Sequence, residues 1–130
     1  MPEPVTIRLP DDPQATAPDG TAVRLLPALA GGSMAHFTLR AGATSLAVRH
    51  RAVEEIWYFL SGAGEVWRGH EGGETIVLVE AGVSITIPLG AAFQFRAAPG
   101  APLVFLAITM PPWPGEGEAV IVDGPWRASV

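Results

Sequence analysis

A chain of 130 residues with 48% apolar and only 16% charged side chains is long enough for one hydrophobic core and too short for two. Its formal charge of −5, with every cation outside the histidines a scattered arginine, lacks the basic stripe that a phosphate backbone requires, so nucleic acid is excluded as a partner. No cysteine is present, which excludes disulfides, thiolate catalysis and zinc–thiolate sites.

Met1–Asp12 has no basic-then-apolar secretory pattern, and the longest apolar run, Leu103–Met110, is far shorter than the roughly 20 residues a bilayer crossing needs. The expectation is a cytoplasmic protein with no membrane partner. Residues 1–20, rich in proline and acids, read as a loosely held arm carrying a strand at Val5–Leu9. Then come short runs of Val, Ile, Thr and aromatics: Ala22–Leu29, Met34–Arg40, Ser45–His50, Ile56–Leu60, Gly64–Arg68, Thr75–Glu80, Ser84–Pro88, Ala92–Arg96, Leu103–Met110 and Ala119–Val122. Turn residues among 15 glycines and 13 prolines separate them, and no stretch keeps a helical period. That pattern predicts an all-β sandwich or barrel. His70-Glu71-Gly72-Gly73 reads as a solvated hairpin loop. Pro111–Gly115 cannot be strand interior, because proline removes ladder donors; it is predicted to cross the body and lay Trp113 against it.

Two segments carry the chemistry. From Gly42, five residues lead to Val48, one to His50, four to Glu55 and six to Gly62. From Gly82, five lead to Pro88, one to Gly90, two to Phe93 and three to Ala97. These spacings resemble the two signature motifs of the cupin superfamily, G-x5-H-x-H-x(3–4)-E-x6-G and G-x5-P-x-G-x2-H-x3-N, in its small, single-domain, conserved-barrel form. Glu55-Ile56-Trp57-Tyr58-Phe59-Leu60-Ser61-Gly62 is similar to the family's usual hairpin. The resemblance, over about residues 33–110, implies an antiparallel double-stranded β-helix, or jelly-roll barrel. One domain over 1–130 is expected, with its core barrel at about 33–110 and a Pro/Trp segment at 111–130.

Strand parity makes its own predictions. Val48 and His50 share a face, but His50 and Glu55 differ by an odd number of positions. Arg51–Glu54 must therefore turn or bulge for both to reach one pocket. Beyond it, Glu55, Trp57 and Phe59 share one face and Ile56, Tyr58 and Leu60 the other, both apolar enough to be buried.

The resemblance implies a metal held by His, His, Glu and His, a divalent transition metal such as Fe, Mn, Ni or Zn. The matching positions here are Val48, His50, Glu55 and Phe93, and only two of the four can donate. Three protein ligands are the usual minimum, so no cofactor is firmly predicted. His36 would complete a two-His-one-carboxylate set, but parity places it with Met34 and Thr38, opposite Ala35, Phe37 and Leu39. Gln94 neighbours Phe93 and points to the other face.

The site expectation is a pocket lined by Val48, Trp57, Phe93 and Phe95, with His50 and Glu55 as polar anchors or an acid–base pair. The bland alternative is a hydrogen-bonded remnant of a metal site. Trp67 is placed at a rim, Trp113 and Trp126 are read as packing anchors, and Arg49, Arg51 and Arg68 as solvated unless one holds a carboxylate at the mouth. Three functions follow from this reading. The first is small-molecule binding with a degenerate metal site. The second is a metal-dependent dioxygenase or isomerase using His50, Glu55 and His36. The third is a non-catalytic interaction or storage-type domain, with homodimers implied by the resemblance.

Overall fold

Alternation along the strands decides the layers. In β10 (Leu103–Met110), Leu103, Phe105, Ala107 and Thr109 are buried, while the residues between them are half-buried. In β5 (Glu54–Ser61), Glu55, Trp57 and Phe59 are buried and Ile56, Tyr58 and Leu60 are exposed. A period of two with one face turned inward is what a pleated sheet over a core demands. The computed structural model describes residues 1–130 and contains strands and turns but no helix.

The other strands are β1 (Ala15–Thr16), β2 (Ala22–Leu29), β3 (Gly32–Leu39), β4 (Val48–His50), β6 (Ala63–His70), β7 (Gly73–Glu80), β8 (Ser84–Ile87), β9 (Ala92–Ala97) and β11 (Ala119–Ile121). A six-stranded sheet runs β1-β2-β3-β10-β5-β8, and a five-stranded sheet runs β11-β4-β9-β6-β7. Every pairing is antiparallel. This is the antiparallel jelly roll that the sequence predicts.

Register fixes the core. Phe37, Phe105 and Phe59 lie in one row across β3, β10 and β5. Phe105 stacks on Phe37 at 5.1 Å and on Trp57 at 4.3 Å between ring centroids. Phe93 and Phe95 of the opposite sheet meet Trp57 edge-on at 5.3 and 5.2 Å. Such pairs add about 1 kcal/mol each beyond their buried area. Pro27, inside β2, cannot donate to the ladder, and there the β2–β3 register shifts between Leu25 and Ala28. The turn glycines are equally constrained. Gly62 has φ +79°, and a Cβ on it would sit 2.1 Å from the carbonyl oxygen of Pro102.

Three expectations need correction. Val5–Leu9 forms no strand; Val5, Ile7 and Leu9 are exposed, with no neighbouring strand to pair with. The arm is held instead where Arg24 donates to the carbonyls of Pro10 and Asp11, and its strand is the later, shorter β1. Ser45–His50 contracts to Val48–His50, preceded by an isolated bridge between Thr44 and Arg96. The outer row Ile56, Tyr58, Leu60 is exposed, because it sits on the solvent side of the six-stranded sheet.

Candidate functional site

The turn between His50 and Glu55 is held by a carboxylate from far along the chain. Glu118 accepts hydrogen bonds from the amides of Ala52 at 2.7 Å and Val53 at 3.1 Å, while its own carbonyl accepts from the Arg51 amide. This clamp changes the strand parity, so that His50 at the end of β4 and Glu55 on β5 both reach one interior cavity of about 500 Å3. Glu118 itself is buried.

Glu55 is the best-supported polar group in that cavity. Its Oε1 accepts from the indole Nε1 of Trp57 at 3.0 Å and its Oε2 from the Thr109 hydroxyl at 2.5 Å. Burial pushes its carboxyl above the usual 4.5, against the pull of these two donors, and the nearby Glu118 charge adds to the rise. His50 lies edge-on to Phe93 and to Trp113, each at 5.2 Å. Burial lowers its pKa below 6.5, opposed by the charges of Glu118 and Asp19. Its Nδ1 is 3.9 Å from Glu55 Oε1 and has no hydrogen-bond partner. That separation falls within ion-pair range, yet burial drives both partners toward their neutral forms. Charge therefore adds little to the contact.

Asp19, which sequence reasoning placed only in the N-terminal arm, also lines the cavity. Its Oδ1 accepts from the amide and hydroxyl of Thr21 at 3.1 and 2.6 Å, and its carbonyl accepts from the Leu46 amide. Burial raises its pKa above 3.8 despite the Thr21 bonds. Trp113 joins the wall as well. It is a cavity residue as much as a packing anchor, and its amide donates to Ser33 Oγ.

The remaining sequence-predicted residues divide cleanly. Trp57 and Phe93 line the cavity. Val48 and Phe95 face inward but sit in the hydrophobic core, where neighbouring side chains leave them no share of the wall. His36 is on the outer side of β3, in a row with Arg24 and Leu106, as its parity requires. It therefore cannot join His50 and Glu55. Gln94 points away from the cavity and bridges Ser45 and Trp126, and Arg96 stacks on the Trp126 ring at 4.2 Å. Trp67 opposes Gln94 on that same outer side, so it covers no rim of the cavity. His70 is exposed and accepts from the Gly72 amide. No arginine lines the cavity, and Arg68 instead donates to the Thr86 carbonyl.

These residues do not fit a resident transition metal. Val48 and Phe93 offer no lone pair, both oxygens of Glu55 already accept hydrogen bonds, and no three His, Asp or Glu side chains converge as a ligand group.

The architecture is an antiparallel jelly-roll barrel with His50 and Glu55 at its interior cavity. The family model for the cupin domain matches residues 35–109, more than half of the sequence, and the chain belongs to that family. No curated protein sequence matches it significantly. Among solved structures it is similar to a conserved double-stranded β-helix protein of Klebsiella pneumoniae, at 13% identity and TM-score 0.67, covering 85% of this chain and 90% of that one. A Bacillus halodurans protein matches at 20% identity and TM-score 0.65, covering 75% of each chain. The Bacillus subtilis oxalate decarboxylase, described with Mn(II) centres, matches at 19% identity and TM-score 0.69, over 86% of this chain but only 30% of that enzyme. At such identities the likeness is one of fold.

Proposed function

We infer that this cupin binds a small, largely apolar molecule in the barrel cavity, anchored by His50 and Glu55, without a firmly held metal. The observation that carries the reading is a cavity of about 500 Å3, walled by Phe37, Trp57, Phe93 and Trp113, into which only a few polar groups reach. Concave, mainly aromatic sites with a few placed polar groups are how proteins hold small ligands. His50 Nδ1 and Glu55 Oε1, 3.9 Å apart, stand too far apart to share a proton directly, so each is free to serve a ligand as a separate polar anchor.

Ligand-observed NMR with a panel of small aromatic and branched aliphatic molecules tests this. Binding is expected to the wild-type protein and to be lost in Ala35→Phe, which fills the cavity from its β3 wall. If nothing binds the wild type more tightly than the filled variant, the reading fails. Near-stoichiometric iron, manganese, nickel or zinc in the purified protein would overturn its metal-free form. A second reading, a homodimer, is supported by the exposed Ile56, Tyr58 and Leu60 on one strand face. Sedimentation of a monomer at micromolar concentration would end it.

A further inference from the structure

We propose that the cavity is built for an organic cation, a small alkylated ammonium ion whose charge faces Asp19 and Glu55 while its alkyl groups rest on the aromatic wall. The proposal rests on the small-molecule reading above and adds the sign of the ligand's charge.

The first support is the inventory of ionisable side chains in the wall, which is Asp19, His50 and Glu55, with no lysine or arginine. The imidazole is 5% exposed, its Nδ1 is buried without a partner, and burial disfavours its charged form, so near neutral pH it is a poor counter-charge for an anion. Charged groups on the surrounding elements do not supply one either. Glu118, at the turn before β5, adds negative charge. Arg24 of β2 stands in the outer row with His36, and Arg49 and Arg51 are exposed. An oxalate-like dianion would meet two carboxyl groups and no cation.

The second support is the wall itself. Phe37, Trp57, Phe93 and Trp113 line the same cavity as the two acids. Aromatic side chains beside carboxylates suit a weakly hydrated cation, which gains cation–π attraction without needing many acceptors. The acceptor supply favours an alkylated head over a bare ammonium. Both oxygens of Glu55 and Oδ1 of Asp19 already accept hydrogen bonds from the protein.

A third support is thermodynamic. Burial holds both carboxyls above their ordinary pKa, so the unliganded cavity favours their protonated forms. A bound cation favours the ionised forms, so wherever either carboxyl is still protonated its binding releases protons and strengthens as pH rises. Protonation of His50 at low pH would repel the same ligand, so all three groups act in one direction.

Choline, 3,3-dimethylbutan-1-ol and 3,3-dimethylbutanoate share one branched head and differ in charge, and isothermal titration with each is the test. Choline is expected to bind about tenfold more tightly than the alcohol, and the carboxylate not at all. Choline affinity should rise, with proton release, as pH climbs above 4.5 through the raised carboxyl titrations, while the alcohol shows no such rise. In Asp19→Asn and Glu55→Gln the preference for choline over the alcohol should shrink. Should either variant fold poorly, the wild-type ranking of the three probes decides the matter. If the alcohol or the carboxylate equals choline, the charge inference is overturned and the small-molecule reading stands. If no probe binds while molecules of the neutral panel do, the cation inference likewise falls. If neither probes nor panel bind, both readings fall.

Discussion

Replacing Glu118 by alanine removes the clamp on the turn that joins β4 to β5. Two hydrogen bonds to an anionic acceptor disappear, at 2.7 and 3.1 Å, one of them fully buried. Bonds to charged groups contribute about 1.5–3 kcal/mol each. Relief of the repulsion between Glu118 and Glu55, and water reaching the freed Ala52 amide, return part of that. The net loss should be about 3 kcal/mol, or roughly 12 °C in Tm for a domain of this size. Glu118→Gln keeps an amide oxygen in place and should cost about 1 kcal/mol. Thermal melts followed by circular dichroism measure both variants, and hydrogen exchange should accelerate at Ala52 and Val53. The lost negative charge should also move the His50 titration downward, since Glu118 raises it in the wild type. An alanine variant melting within about 3 °C of wild type, or a glutamine variant equally damaged, would refute the clamp.

Gly62→Ala meets both a positive φ and the Pro102 carbonyl oxygen, and should cost about 3 kcal/mol or prevent folding, as urea denaturation would reveal. Phe93→Ala empties the space between Trp57 and His50 and should cost about 3–5 kcal/mol in the same assay; a loss below about 1 kcal/mol would mean the ring is not packed as described. Glu55→Gln should gain stability relative to wild type as pH rises. The folded state holds the Glu55 proton above its ordinary 4.5, so the wild type is stabilised below that value and loses the contribution as pH climbs through the folded pKa. The neutral amide has nothing to lose, and a difference between the two proteins that stays flat from about pH 4 to about pH 8 would contradict this.

The barrel was legible because its determinants are local. Turn glycines and prolines punctuate the chain, and alternating apolar residues name the inward faces of β5, β9 and β10. The parity that separates His36 from the cavity, and the turn required between His50 and Glu55, come from the same period of two. Thr109 carried a readable signal too, since it is the polar member of the inward set Leu103, Phe105, Ala107 in an otherwise apolar strand. Asp19 and Glu118 carried none. Asp19-Gly20 looks like any turn dipeptide, and Glu118 reaches across 66 positions to Ala52. Their roles exist only once the two sheets have closed. The outer row of β5 misled because apolarity alone does not say whether a second layer covers it.

Boundaries drawn at the stretch that resembles other cupins would have a practical cost for anyone trimming this protein. Cutting at residues 35 and 109 discards Asp19, Trp113 and Glu118 together. What survived would be a trough with its end panel missing and its hinge pin pulled, so mutagenesis or crystallisation should keep both flanks.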